Sequence, residues 1–214
     1  MKLNTLKNNS SKGFTLIEMI GVLAVIAILA ALLIPKVFQA ITEARINTVP
    51  VGCATAKTGT VDNYAKNGGL ANVSPTSAWA DVPTTAGSTG ADYDDEVLLA
   101  GGFIDKPFAP RVGTTADVLL GNVTGYTGAT AVGAAAGLTY DLDGDTDNDV
   151  IGTHVVFAQI TGVPIADAQA ISARIDGITM SQTEGTTTQD IEGRVKYAAD
   201  ATGLTTVFIY LTHR

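Results

Sequence analysis

The 214 residues hold one cysteine, two histidines and one tryptophan, and only 16% of them are charged. A lone Cys53 excludes an internal disulfide framework and a cysteine-rich zinc module, and it reads as a small packed residue rather than a reactive thiol. His154 and His213 leave little for a histidine-based metal site. Lys and Arg number 13 against 21 Asp and Glu, a formal charge of −8. Phosphate binding needs a basic face, so no direct nucleic-acid partner is expected. There is no GxSxG elbow, Walker loop, HExxH helix or dinucleotide fingerprint, and nothing positions the aspartates as a hydrolytic pair; no enzymatic activity is expected. The chain is long enough to build a hydrophobic core without staples. Its charged fraction falls below the roughly 25% of ordinary soluble domains, and that deficit is concentrated in one place.

Residues 1–13 carry Lys2, Lys7 and Lys12, no acid, and the polar run Asn8-Asn9-Ser10-Ser11. Residues 14–34 read FTLIEMIGVLAVIAILAALLI, apolar apart from Thr15, Glu18 and Gly21. As a helix rising about 1.5 Å per residue this run extends about 31 Å, enough to cross a hydrocarbon core of about 30 Å. A secretory signal would have a shorter apolar run followed by its cleavage site, which makes it the second choice. The three lysines hold the N-terminus in the cytoplasm and send the remainder outward. Glu18 does not suit a plain anchor, because an unpaired carboxylate deep in the bilayer costs about 2.5–3.5 kcal/mol or more. Either it is hydrated near the cytoplasmic interface, or it meets a positive charge delivered by a neighbouring chain.

The string Lys12-Gly13-Phe14-Thr15-Leu16-Ile17-Glu18, set directly before a membrane-length apolar run, resembles the processing motif of type IV prepilins and of the pseudopilins of type II secretion systems. The resemblance implies a leader at residues 1–13 that a prepilin peptidase cuts between Gly13 and Phe14, with N-methylation of Phe14. It implies that Glu18 takes the place of the family's glutamate, which pairs with the terminal amine of an adjacent subunit. Pro35 matches the proline after the apolar run, where the family's helix kinks or melts in assembled filaments. Partners implied are other copies in a helical filament, the peptidase, an inner-membrane assembly platform and the membrane itself. The chain would sit in the inner membrane as a single span before assembly and in an extracellular or periplasmic filament afterwards. Cleavage would also remove three lysines: of 214 residues 201 remain, with 10 basic against 21 acidic side chains, a formal −11. It would create an amine at the edge of the apolar segment, near the depth of Glu18, so that one chain's amine neutralises the next chain's carboxylate and selects the stacking register.

Beyond the transmembrane and assembly helix at 14–35, residues 36–67 keep a weaker helical pattern in which Pro50 is expected to kink or interrupt the helix. Asn67-Gly68-Gly69 is a stop signal, and the preceding Tyr64 makes this end resemble that of the long pilin helix. A globular part at 68–214 follows. Residues 70–93 read as loop, with Trp79 as a local packing anchor. Residues 94–102 fit a short helix with structural acids in its first turn and a glycine stop. Residues 112–137 read as weak strands and surface loops, 153–160 as a strand, and 164–175 as a helix begun at Pro164. Residues 193–198 and 205–211 form a hairpin around Asp200-Ala201-Thr202-Gly203. The fold class is therefore α+β, a long N-terminal helix packed against a C-terminal antiparallel sheet.

Asp141, Asp143, Asp145, Asp147 and Asp149 place five carboxylates on alternate residues. Such crowding repels unless a cation or solvent separates the charges, and Ca²⁺ takes six to eight oxygen ligands. The run departs from an EF-hand, since Gly144 is its fourth position and Gly152 stands where the bidentate glutamate belongs. It is similar to looser calcium loops of extracellular proteins, and some pseudopilins carry calcium in this half of the chain. A solvated acidic turn is the alternative. Asn72-Val-Ser and Asn122-Val-Thr match a glycosylation pattern only weakly. The functional expectation is a pilus-like structural subunit, with a type II secretion pseudopilin or a minor adhesive tip subunit as alternatives. The 13-residue leader, the absent C-terminal cysteine pair and the aspartate run lean toward the pseudopilin, and the mature length leans toward the pilin.

Overall fold

A computed structural model describes residues 13–125, 137–145, 147–177, 189–198 and 203–214. The leader up to residue 12 and the turn at Asp200-Ala201-Thr202 lie outside the described residues. The chain divides into two units, Met1–Glu43 and Ala44–Arg214. Helix α1 (Leu16–Ile46) runs uninterrupted through Pro35. Asn47 separates it from α2 (Thr48–Asn67). Pro50 acts three residues before its own position: it has no N–H for the Ile46 carbonyl, four residues back, and its ring crowds that carbonyl. Pro50 itself sits in the first turn of α2, where an N–H has no intrahelical acceptor to lose.

Two glycines inside α2 depress helix propensity, and packing explains them. A Cβ on Gly59 would lie 2.6 Å from Ile104 Cγ2, and one on Gly52 would lie 2.9 Å from Phe108 Cε2. The segment around residues 103–108 therefore lies directly on the helix. The stop at Gly68 is as expected: it adopts φ +76°, and its N–H donates to the Tyr64 carbonyl at 2.8 Å. A buried polar network secures this end. Asn67 Nδ2 donates to Asn63 Oδ1 at 2.7 Å, and the Tyr93 hydroxyl donates to the Leu70 carbonyl at 2.7 Å.

Residues 70–93 contain more than loop. Strands β1 (Asn72–Ser74) and β2 (Ser77–Ala78) pair with each other, and β3 (Thr89–Gly90) forms an edge of the main sheet. The short helix follows as a π-helix, Asp94–Leu99. Its acids are structural: Asp94, buried, accepts the N–H of Phe108 at 2.6 Å and of Val118 at 3.2 Å. Burial pushes its carboxyl above the ordinary range, with those two N–H donors pulling it back down. Trp79 anchors the same region, donating from Nε1 to Glu96 at 2.7 Å and meeting Tyr93 edge-on with ring centroids 5.8 Å apart.

The remaining elements are β4 (Thr115–Asn122), β5 (His154–Pro164), α3 (Ile165–Ile175), β6 (Gln189–Asp190), β7 (Val195–Ala198) and β8 (Leu204–His213). The main sheet has the order β3-β4-β5-β8-β7-β6, antiparallel throughout. The α+β expectation holds, with β4 a full eight-residue strand where the sequence suggested only weak ones. Alternation along the central strands builds two cores. Val156, Ala158 and Ile160 of β5, with Val207, Ile209 and Leu211 of β8, join the core shared with α2 and α3. Val155 and Phe157 face the other way and are covered by Leu138, Tyr140 and Val150. The segment 137–150 therefore roofs the second sheet face. Replacing Asp94 by Ala should destabilise the domain by about 2–4 kcal/mol, because two buried N–H groups lose their acceptor; a denaturant melt of residues 44–214 reads this out, and an unchanged midpoint would refute the structural role.

Candidate functional site

The N-terminal segment is built by its capping residues. Thr15 precedes the first helical residue, and its Oγ1 accepts the Glu18 backbone N–H at 3.3 Å. This is half of a capping box, in which Thr and Glu stand three residues apart. The T-x-x-E spacing was there to be read in the sequence and adds Thr15 to the residues that shape this end. It places Glu18 in the first turn of α1, where the helix dipole favours a carboxylate. Among the described residues no cation of the same chain forms an ion pair with Glu18, whereas Arg194 and Asp176 are paired at 3.3 Å. The apolar side chains that follow are uncovered: Phe14 is 75% exposed, Leu23 65% and Leu32 68%. Of the α1 residues only Ile46 is buried. Gly13 is exposed, and nothing lies within 4 Å of where a Cβ on it would stand.

The aspartate run is held from both ends. The Gly193 N–H donates to the Asp141 carbonyl at 2.6 Å, and the Asp149 N–H donates to the Tyr140 carbonyl at 2.8 Å. Beneath it lies Lys196 of β7, fully buried, donating from Nζ to the Thr139 carbonyl at 2.7 Å and lying 5.3 Å from the centre of the Tyr140 ring. Burial lowers the Lys196 ammonium to about 8, against the upward pull of Asp141.

Within the loop, carboxylates accept backbone N–H groups. Asp141 Oδ1 takes Gly144 at 2.6 Å and Asp145 at 3.1 Å, and Asp149 Oδ2 takes Leu142 at 2.6 Å. Gly144 supplies the turn with φ +86°. These bonds bring one oxygen each of Asp141, Asp143 and Asp149 within 4.8 Å of one another. Oxygens around one Ca²⁺ lie about 2.3–2.6 Å from it, so ligands on opposite sides are about 5 Å apart, and the three aspartates fit such an ion. Asp145 and Asp147 fall outside this set. Asp145 Oδ1 instead accepts the Asp147 N–H at 2.9 Å, and both residues are exposed. Alternation along the sequence suggested five equivalent ligands, whereas the turn at Gly144 divides them.

Other residues singled out by the sequence have local roles. Cys53 is buried, and burial pushes its thiol up to about 12, against the opposite pull of Arg194. His154 Nδ1 lies 3.2 Å from Thr153 Oγ1, and His213 Nδ1 lies 2.7 Å from the Tyr210 hydroxyl. Asn122 is buried and donates to the Pro83 carbonyl at 2.8 Å, a poor position for a glycan.

Residues 8–34 match the family model for the prokaryotic N-terminal methylation motif. That motif is the prepilin-type signature of type IV pilins and pseudopilins, proteins that are structural rather than enzymatic. No solved structure matches the chain. The chain thus combines a prepilin-type signature, an apolar helix of membrane length and an α+β globular unit.

Proposed function

We propose that this chain is the structural subunit of a type IV pilus-like filament. The observation that carries the reading is the methylation motif at residues 8–34, joined to an apolar helix of membrane length that is exposed among the described residues. In this reading the chain enters the inner membrane with its N-terminus in the cytoplasm. The peptidase cuts between Gly13 and Phe14, and Phe14 is N-methylated. The helix then leaves lipid for the filament core, driven there by the packing of apolar side chains against those of other copies, with an assembly platform at the membrane. Glu18 accepts the terminal amine of a neighbouring subunit, which neutralises both groups in a low-dielectric core. Pro35, which lacks an N–H, leaves the Ala31 carbonyl without its helical donor and makes this the place where α1 bends or opens on assembly.

A pseudopilin of a secretion apparatus is the second reading, and the grouping of Asp141, Asp143 and Asp149 favours it. In either case we assign Ca²⁺ to these three carboxylates. The ion would neutralise their mutual repulsion and stiffen the roof over the second sheet face, a structural role.

Replacing Glu18 by Ala should leave cleavage intact and reduce sheared filament by about a hundredfold, the equivalent of about 2.8 kcal/mol for an unneutralised amine. Filaments at wild-type yield would contradict the pairing. For calcium, the unit Ala44–Arg214 should melt about 5–10 °C higher at a hundredfold excess of Ca²⁺ over its dissociation constant. The same titration of Asp141→Asn/Asp149→Asn should give no rise, and a wild-type domain indifferent to Ca²⁺ would remove the metal assignment.

A further inference from the structure

On the helical side of the sheet, a pocket of about 200 Å³ opens between α2, α3, β8 and Arg194, the residue before β7. Its lining includes buried Cys53, Ile209 and Leu211 together with exposed Lys57, Arg174 and Arg194. Three of the ten Lys and Arg outside the leader thus gather at one cavity of an acidic chain. No carboxylate is among the described residues that line it. Arg194 is fixed in place by Asp176 at 3.3 Å and by a hydrogen bond to the Ile175 carbonyl at the end of α3. Its side chain remains 46% exposed, while that of Asp176 is 3% exposed.

An opposite cluster lies elsewhere on the same domain. Asp92, Asp95 and Asp117 are all exposed, on the π-helix, the residues before it and β4. They are near enough to interact: the Asp117 carboxyl is raised by burial and then by the charges of Asp92 and Asp95. Strand β5 stands between β4 and β8, so the two patches are separated by two interstrand steps, about 10 Å of sheet. A subunit with a formal −11 repels its copies at a distance, and a close contact between copies is favourable where unlike charges meet. Patches of opposite sign at separate places on one domain suit a head-to-tail contact, the heterologous kind that builds open helical assemblies.

We infer that the pocket bearing Lys57, Arg174 and Arg194 receives the Asp92, Asp95 and Asp117 carboxylates of a second copy, in a contact that recurs along the filament. The inference rests on the filament reading above. It is tested with the full-length chain, expressed in cells and assayed by the amount of filament sheared from them. Lys57→Glu/Arg174→Glu should lower that amount at least about tenfold, since like charges then face one another. Asp95→Lys/Asp117→Lys should do the same, and the four substitutions together should restore filament to within about threefold of wild type. Arg194 is left unchanged because it holds the end of α3, and equal levels of each variant in the membrane fraction establish folding.

Absence of filament from the wild type would defeat the filament reading and this contact with it. Wild-type filament with full yield from Lys57→Glu/Arg174→Glu would overturn the contact alone. Loss that the combined variant does not restore would also overturn it. If inorganic phosphate then raised the melting temperature of wild type but not of Lys57→Glu/Arg174→Glu, the pocket would be a small-anion site instead.

Discussion

An apolar helix whose side chains stand exposed among the described residues is the constraint on which everything else depends. Between Phe14 and Ile34 nearly every side chain is apolar and exposed. Burying one such side chain is worth about 1.5–3 kcal/mol, so the whole run represents tens of kcal/mol that water cannot satisfy. Lipid supplies the cover before assembly, and other copies of the helix supply it afterwards in the filament proposed here. One carboxylate near the N-terminal end of the helix changes the problem from solubility to register. Thr15 caps the helix and places Glu18 in its first turn. In the filament proposed here, Glu18 receives the terminal amine of a neighbouring copy.

The globular unit is organised around the second helix. Gly52 and Gly59 let the segment carrying Ile104 and Phe108 lie against α2. Asp94 then ties that segment to β4 through two backbone donors. On the far side of the sheet the segment 137–150 closes a second core over Val155 and Phe157. The aspartate turn is the exposed part of that roof. Its carboxylates satisfy the loop's own N–H groups first and leave three oxygens grouped at one point. Loop geometry and the proposed metal site are thus one arrangement, with buried Lys196 supporting it from below.

Much of this was legible from residues alone, and the exceptions have physical causes. The membrane-length run, the Gly68 stop, α3 after Pro164 and the β7–β8 pairing all follow from strong local signals. The break between α1 and α2 stands at Asn47 rather than Pro50, because a proline disrupts the carbonyl four residues before it. Strand β4 looked weak because Thr, Ala, Gly and Asn dilute it. Its Val118 and Leu120 are fully buried by tertiary contacts that no local pattern contains. β1, β2 and β3 are two or three residues long, below the length at which alternation can be recognised. Among the aspartates, spacing revealed the density of ligands but not the turn that divides them. The cationic pocket joins α2, α3, Arg194 and β8, residues far apart along the chain, and became visible only once the fold brought them together.

The most direct test of the central claim is the intact mass of this chain in filaments sheared from cells, compared with the membrane fraction. The account predicts that the sheared material consists of a chain beginning at a methylated Phe14, with residues 1–13 removed. A chain of full length in both fractions would contradict it, and mature chain confined to the membrane would replace the surface filament with the pseudopilin reading.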